Sequence, residues 1–241
     1  MQTNISDVLS RRSDLSTFLV HLTRADGNRT ASQNLESILR TKRLEARTAM
    51  GWCVNAEGLT QQDVHTQRVV CFSETPLDQA HSLFADIAGR RVNMEPYGVA
   101  FTKVTARRRG VNPVWYVDKS PGHNWSVSKA LGDLRASATS PGGGFSAHPM
   151  ARIAPFFESM GTWQTGRREF WWEREWRHVG DLGFGYREIA LVLCPETEIP
   201  QFEGLSLLRE FRAVDPRWSL EQMIAHLVGL NADTVTLFGV R

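Results

Sequence analysis

Short apolar runs typical of strands are interspersed with helical patterns along this 241-residue chain, without a strict strand–helix repeat. A parallel doubly wound sheet requires that repeat, so the pattern favours a mixed α+β fold with helices flanking the sheet. Alternating or continuous apolar runs predict strands, at 18–23, 68–72, 97–102, 113–117, 170–179, 187–193 and 234–238. Apolar residues three to four apart predict helices, at 7–16, 32–42, 76–88, 124–135, 151–160 and 216–228. No clear boundary divides the chain, so we expect a single domain over 1–241.

The charge balance and the apolar runs limit the class of protein. The 28 basic and 26 acidic residues give a net charge of +2, which implies no general attraction to nucleic acid. No apolar run approaches the roughly 20 residues that a membrane span needs, and residues 1–12 lack the apolar core of a signal peptide. Three widely spaced cysteines without a Cys-x-x-Cys pair argue against a structural zinc site. We therefore expect a cytoplasmic protein with no membrane partner and no metal.

Glu173, Glu175 and Arg177 are spaced two apart in a run of aromatic residues. On a single strand all three side chains would point to the same face of the sheet. Two neighbouring carboxylates on an apolar strand are costly unless cations pair with them or a site uses them. The sequence leaves both explanations open: a carboxylate–arginine ladder at a sheet edge, which is worth little stability, or part of a functional site.

Other polar side chains stand at the ends of predicted strands. His21 and Thr23 close the first strand, and Ser73 closes the second. Tyr97 and Tyr116 are either core residues with hydrogen-bonded hydroxyls or rings that stack on a flat ligand. A basic cluster (Lys103 and Arg107–Arg109) forms either a solvated face or a phosphate contact.

Four segments in this order resemble the AbiGi-type abortive-infection proteins of bacteria. They are Phe-Leu-Val-His-Leu-Thr at 18–23, Val-Cys-Phe-Ser-Glu-Thr-Pro at 70–76, Tyr-Gly-Val-Ala-Phe at 97–101 with Pro-Val-Trp-Tyr at 113–116, and Glu-Arg-Glu-Trp-Arg at 173–177. That family in turn resembles the ADP-ribosyltransferase fold, a mixed, split β-sheet around a cleft for NAD. The resemblance spans roughly residues 18–195, which makes this stretch the core and 196–241 a C-terminal extension.

The resemblance implies a role for each matching residue. Glu175 would be the catalytic glutamate that stabilises the oxocarbenium-like transition state as nicotinamide leaves, and Glu173 would position or deprotonate the acceptor. The cofactor-binding residues would be these five: His21, Thr23, Ser73, Tyr97 and Arg177. The function so implied is that of a toxin or phage-defence effector that transfers ADP-ribose from NAD to a macromolecular acceptor, either protein or nucleic acid.

Two other functions remain open. A non-catalytic member of the same fold would act as a phage-protein sensor or an antitoxin that binds a partner, and its eight tryptophans would supply an interaction face. A nucleic-acid enzyme using carboxylates and Mg²⁺ is the weakest alternative, because the sequence offers no convincing carboxylate triad.

Overall fold

The computed structural model describes residues 14–84, 93–122, 126–140, 144–163 and 166–230. The chain divides into two compact units, each assembled from separate stretches of sequence. Unit 1 comprises Met1–Lys42, Glu74–Thr105 and Phe184–Arg241, and unit 2 comprises Arg43–Ser73 and Ala106–Gly183. A single domain over the whole chain stays a prediction.

Short strands and short helices make up both units. The strands are β1 Phe18–Leu22, β2 Arg43–Leu44, β3 Thr48–Ala49, β4 Arg68–Ser73, β5 Gly98–Thr102, β6 Asn112–Pro113, β7 Trp115–Asp118, β8 Phe157–Trp163, β9 Gly166–Arg168, β10 Glu175–Val179, β11 Leu182–Gly183, β12 Ile189–Leu193 and β13 Ala213–Val214. The α-helices are α1 Ala31–Thr41, α2 Gln61–His65, α3 Lys103–Arg108, α4 Ser126–Ala138, α5 Pro149–Ile153, α6 Ile199–Glu203 and α7 Leu220–Val228. This mixture confirms the predicted α+β class, whereas a split sheet of ADP-ribosyltransferase type stays a prediction.

In unit 1, β5 lies between two antiparallel neighbours, β1 and β12, and β13 runs parallel to β12. A Cβ atom on Gly98 would lie 2.4 Å from the carbonyl oxygen of His21, so the close approach of β5 and β1 there requires glycine. Apolar side chains from these strands and from α7 form one buried cluster: Val20, Ala100, Leu191, Leu193, Val214 and Met223.

In unit 2, β4 pairs antiparallel with β3 and with β10, and β10 also pairs with β6. A second group of strands has β8 between a parallel neighbour, β7, and an antiparallel one, β9. The core of this unit is a buried apolar cluster that packs β7 and β8 against α4 and α5: Trp52, Cys53, Val117, Leu131, Ala138, Phe145, Met150, Ala151, Ala154 and Phe157.

Side-chain caps explain where the two amphipathic helices of unit 1 begin. Thr30 and Gln33 form a capping box at the start of α1, and Lys42 ends that helix with a left-handed φ of 52°. Ser219 and Gln222 form the same box at the start of α7, so this helix begins after Ser219 and not at the predicted residue 216.

The prediction of one strand over 170–179 was wrong. Phe170–Glu173 form a 3-10 helix, Arg174 has a left-handed φ of 45°, and β10 begins only at Glu175. The left-handed residue turns the chain between the two glutamates. Glu173 and Glu175 therefore do not share a strand face, which corrects the prediction. Glu175 and Arg177 do share a strand face, as predicted.

The prediction of a helix over 151–160 was also wrong beyond its first residues. Pro155 lies at the start of a 3-10 turn, Ala154–Phe156, and β8 follows at once. Proline lacks the backbone N–H that an interior helical position donates, so α5 ends before it.

Smaller differences concern the ends of other elements. The strand predicted at 187–193 begins as a 3-10 turn, Tyr186–Glu188, and the one predicted at 113–117 divides into β6 and β7. Leu77–Phe84 is a 3-10 helix in place of the first part of the helix predicted over 76–88. The rest of that helix, most of the helix at 7–16 and the strand at 234–238 lie outside the described residues.

Candidate functional site

Arg177 is the largest fully buried side chain of the described part of the chain. It lies on β10, opposite Cys71 of β4, and Glu175 lies opposite Ser73 on the same pair of strands. Residues two apart on a strand face the same side, so the guanidinium of Arg177 and the carboxylate of Glu175 project together.

The guanidinium of Arg177 donates four hydrogen bonds. Its Nε and Nη2 atoms each lie 2.8 Å from an oxygen of Glu175, which makes this pair bidentate. Nη2 also donates to Glu158 at 2.9 Å, and Nη1 donates to the carbonyl oxygen of Pro155 at 2.7 Å. Burial by itself would lower the pKa of Arg177, but the charges of Glu175 and Glu158 and the hydrogen bonds to Glu175 outweigh it and raise the pKa. Arg177 is therefore a permanent buried cation held by two carboxylates.

Glu175 is nearly enclosed, with 12% of its side chain exposed. The hydroxyl of Tyr116 lies 3.5 Å from its Oε2 atom, at the limit of hydrogen bonding. Burial, followed by the charge of Glu175, raises the pKa of Tyr116, so the phenol keeps its proton. Burial and the same charge also raise the pKa of the Cys71 thiol well above its ordinary value. Both neighbours are thus neutral around the ion pair of Glu175 and Arg177, and neither is an activated nucleophile.

Glu173, the predicted acceptor-side glutamate, belongs to the 3-10 helix that precedes β10 and is half-buried. Its charge also contributes, less than that of Glu175, to raising the pKa of Tyr116. The charges of both glutamates of the Glu-x-Glu segment therefore act on Tyr116, although the two glutamates do not share a strand.

Three of the predicted cofactor-binding residues lie in unit 1. Thr23 is buried, and its hydroxyl donates to the carbonyl oxygen of Ala31 at 3.0 Å. The hydroxyl of Tyr97 donates to Glu198 at 2.5 Å. Burial, followed by the hydrogen bond and charge of Glu198, raises the pKa of Tyr97. His21 is half-buried on β1, opposite Val99.

The seven predicted site residues thus fall into two sets. Ser73, Glu173, Glu175 and Arg177 belong to unit 2, whereas His21, Thr23 and Tyr97 belong to unit 1. Within unit 2 the strand pairing brings Ser73, Glu175 and Arg177 together. The catalytic roles assigned to Glu173 and Glu175 and the NAD-binding roles assigned to the other five residues stay predictions.

Glu158 and Pro155, two partners of Arg177, were not among the predicted site residues. Both residues were assigned to the predicted helix over 151–160, so neither was expected beside Arg177. Pro155 was the signal in the sequence that a helix could not continue there. The basic cluster has a partial explanation, because Lys103 pairs with the buried Glu74 at 2.6 Å while Arg107 and Arg108 are exposed.

Residues 40–196 match the model of a family described as "Putative abortive phage resistance protein AbiGi, antitoxin". The match covers more than half of the chain. The chain belongs to the AbiGi family. Comparisons with curated proteins and with solved structures found no match.

Membership of the AbiGi family confirms the resemblance to AbiGi-type proteins and connects the chain with abortive infection. The motif at 18–23 lies outside the matched residues, whereas the other three motifs lie within them. The matched stretch contains all of unit 2, including the buried Arg177 and its partners. In the described residues of this AbiGi protein, no three His, Cys, Asp or Glu side chains are grouped so that they could hold a metal ion. None of its described helices has both the length and the apolar character that crossing a membrane requires.

Proposed function

We propose that this AbiGi protein is an antitoxin that acts by binding a partner protein and not by catalysis. The bidentate pairing of Glu175 with the buried Arg177 is the observation that carries the proposal. A glutamate that stabilises a cationic transition state must direct its charge at the substrate. Turning Glu175 away from Arg177 would leave a buried guanidinium with less of its counter-charge, which is costly. The ion pair is better suited to fixing β10 in place than to leaving Glu175 free for catalysis.

Exposed tryptophans on unit 2 support a binding function. Trp171, Trp172 and Trp115 are 55%, 37% and 48% exposed, and Trp171 is held by a hydrogen bond from its Nε1 atom to Glu169 at 2.9 Å. The backbone N–H of Val114 donates to the carbonyl oxygen of Glu175, so Trp115 adjoins the start of β10. Trp residues are enriched at the energetic centres of protein interfaces, and these three form the surface that we assign to the partner.

The antitoxin proposal is tested by growth. Genes that flank this one are expressed singly, and any that arrests growth is then expressed together with this protein. We expect rescue by the wild-type protein and loss of rescue by W171A/W172A, because truncating a central Trp weakens an interface by about 30-fold or more. Leu134→Ala, at an exposed apolar residue of α4, is the matched control and should rescue. Unchanged rescue by W171A/W172A would exclude these tryptophans as the contact surface.

ADP-ribosyl transfer from NAD is the second candidate, and the position of Ser73 opposite Glu175 favours it. In this scheme Ser73 orients Glu175, and Glu173 serves the acceptor. His21, Thr23 and Tyr97 would hold NAD, and Arg177 would act through Glu175. The acceptor would be a protein or a nucleic acid.

Labelled NAD separates the two candidates. The protein is incubated with labelled NAD and whole-cell lysate, the lysate is fractionated into protein and nucleic acid, and thermal stability is measured with and without NAD. An antitoxin without NAD chemistry should transfer no label and show no stabilisation, since only a ligand that binds the native state raises stability. Label transfer that is lost in Glu175→Gln but kept in the control Glu169→Gln would establish the transferase and overturn the non-catalytic proposal.

A further inference from the structure

Helix α7 turns its most apolar side towards solvent. Leu220, Ile224 and Val228 follow one another at intervals of four residues and are 51%, 50% and 65% exposed. Side chains four apart lie on the same side of a helix, so these three form one line along it, the α7 stripe. By contrast, the side chain of His226 is only 26% exposed, and Gln222 is half-buried. This distribution is the reverse of the usual one, in which the polar side of a surface helix faces water.

Another side of α7 is already buried in unit 1. Met223 belongs to the apolar cluster that also contains Val20 and Leu193, and Leu227 packs against this cluster. Six of the nine residues of α7 are apolar. A helix that is apolar on all sides is typical of one that is covered on all sides, because contact between apolar surface and water is unfavourable. We therefore expect the α7 stripe to be covered by another surface.

Caps at both ends of α7 hold the stripe in place. Ser219 and Gln222 form the capping box at the start of the helix. At the other end Gly229 has a left-handed φ of 76°, and its backbone N–H donates back into the last turn. The N–H of Leu230 also donates to the carbonyl oxygen of Ala225, at 2.8 Å. A contact surface that is formed before binding loses little conformational entropy when its partner arrives.

The spacing of the α7 stripe is the same in both directions from its centre. Leu220 lies four residues before Ile224, and Val228 lies four residues after it. If two copies of α7 pack antiparallel about a two-fold axis at Ile224, Leu220 of each copy contacts Val228 of the other, which is the self-complementarity that a symmetric dimer requires. Glu221, the carboxylate of α7, favours this direction. A parallel pair would place the two Glu221 side chains next to each other, whereas the antiparallel pair separates them by six residues, or about 9 Å, along the helices.

We propose that the chain forms a homodimer through the α7 stripe, with the two copies of α7 antiparallel about a two-fold axis at Ile224. The stripe carries three aliphatic side chains and no charge, so it matches an identical stripe better than a charged surface. Three side chains of each copy cover less than the roughly 800 Å² per partner of a standard interface, so the dimer belongs to the weak, concentration-dependent class. α7 lies outside the residues that match the family model, and the proposal does not depend on the antitoxin function.

Light scattering on the full-length protein, from micromolar to near-millimolar concentration, tests the homodimer. We expect the mean mass to rise from that of one chain towards that of two. Ile224→Asp sets two carboxylates against each other at the two-fold axis and should weaken dimerisation by about tenfold or more. Ile153→Asp is the matched control, because Ile153 is an isoleucine of α5 with a similar exposure, 44%, and lies outside the stripe. It should dimerise as the wild type does.

Disulfide cross-linking reports the geometry of the dimer and does not depend on whether Ile224→Asp folds. Helices whose axes are about 8–10 Å apart bring facing residues at the two-fold axis within the roughly 4.4–6.8 Å that separates the Cα atoms of a disulfide. Ile224→Cys should therefore form a disulfide-linked dimer when the oxidant diamide is added, whereas Ile153→Cys should not.

Three results would each overturn the homodimer. The first is the mass of one chain at every concentration, as expected if residues 231–241 or a different protein covers the stripe. The second is unchanged dimerisation of Ile224→Asp, and the third is equal cross-linking of the two cysteine variants.

Discussion

Replacing Arg177 with methionine should destabilise the protein severely. Methionine has a similar length and is apolar, so the change removes the charge and its hydrogen bonds with little change in packing volume. The variant loses two bonds to Glu175, one to Glu158 and one to the carbonyl oxygen of Pro155. Two carboxylates, which are 12% and 19% exposed, then lose the cation that they share.

The expected magnitude follows from that burial. Removing one partner of a buried ion pair costs about 3–5 kcal/mol, because the other charge is left uncompensated. For a chain of 150–250 residues each kcal/mol lowers Tm by about 2–4 °C, so Arg177→Met should melt roughly 6–20 °C below the wild type. Arg187→Met is the matched control: Arg187 is 84% exposed and bonds Glu210 at 3.1 Å, and a surface pair contributes about 0–1 kcal/mol.

Urea unfolding followed by tryptophan fluorescence measures both variants, and a thermal melt provides the second measurement. Arg177→Lys should fall between the wild type and Arg177→Met, since it keeps a cation but loses the bidentate geometry. If the free energy of unfolding of Arg177→Met lies within about 1 kcal/mol of the wild-type value, the ion pair does not fix β10 and Glu175 has no such structural role.

Two further predictions concern backbone strain and acid stability. Gly51→Ala should lower the free energy of unfolding by about 2 kcal/mol or more, because φ is +106° and the new Cβ would lie 2.2 Å from the carbonyl oxygen of Ala154. Gly132→Ala is the control, because Gly132 lies within α4 and its new Cβ would have nothing within 4 Å. It should raise the free energy of unfolding by roughly 0.5–1 kcal/mol in the same urea titration. Burial alone would raise the pKa of Asp215, but hydrogen bonds, chiefly from Arg217, lower the pKa below its ordinary value. The ionised carboxylate therefore stabilises the fold fully above the unfolded pKa of about 4, and this stabilisation is lost as pH falls through the lower folded pKa. Asp215→Asn should cost about 1–3 kcal/mol at pH 7, with a smaller deficit at pH 2–3 in acid titrations, and a deficit that does not change with pH would contradict this account.

Local patterns in the sequence were sufficient to predict the bounds of the strands and helices whose apolar residues follow one another closely. β1, β4, β5 and α1 each lie within one residue of their predicted ends, because a continuous apolar run or a capped helical pattern determines them locally. The prediction failed where one residue changes the direction of the chain. Arg174 is not glycine, so nothing in its identity indicated the left-handed φ that ends the 3-10 helix before β10.

The partners of Arg177 show that contacts between residues far apart in the sequence could not be predicted. The pairing of Glu175 with Arg177 could be predicted, since residues two apart on a strand share a face, and the sequence left this ladder open as an alternative. Glu158 and Pro155 come from 19 and 22 residues away, across the junction of a turn and β8. Spacing along the chain carries no information about such contacts, and neither does it reveal that the guanidinium is fully buried.

Because β5 lies between β1 and β12, the residues that match the family model should not be stable when they are expressed alone. A fragment of residues 40–196 retains β5 and β12 but lacks β1, β13 and α7. One side of β5, a run of buried apolar residues, would then present unpaired N–H and C=O groups. Exposed apolar edges of this kind recruit strands from other molecules. Such a fragment should therefore aggregate, and residues 14–39, although outside the family match, act as the cover that keeps β5 from pairing with another chain.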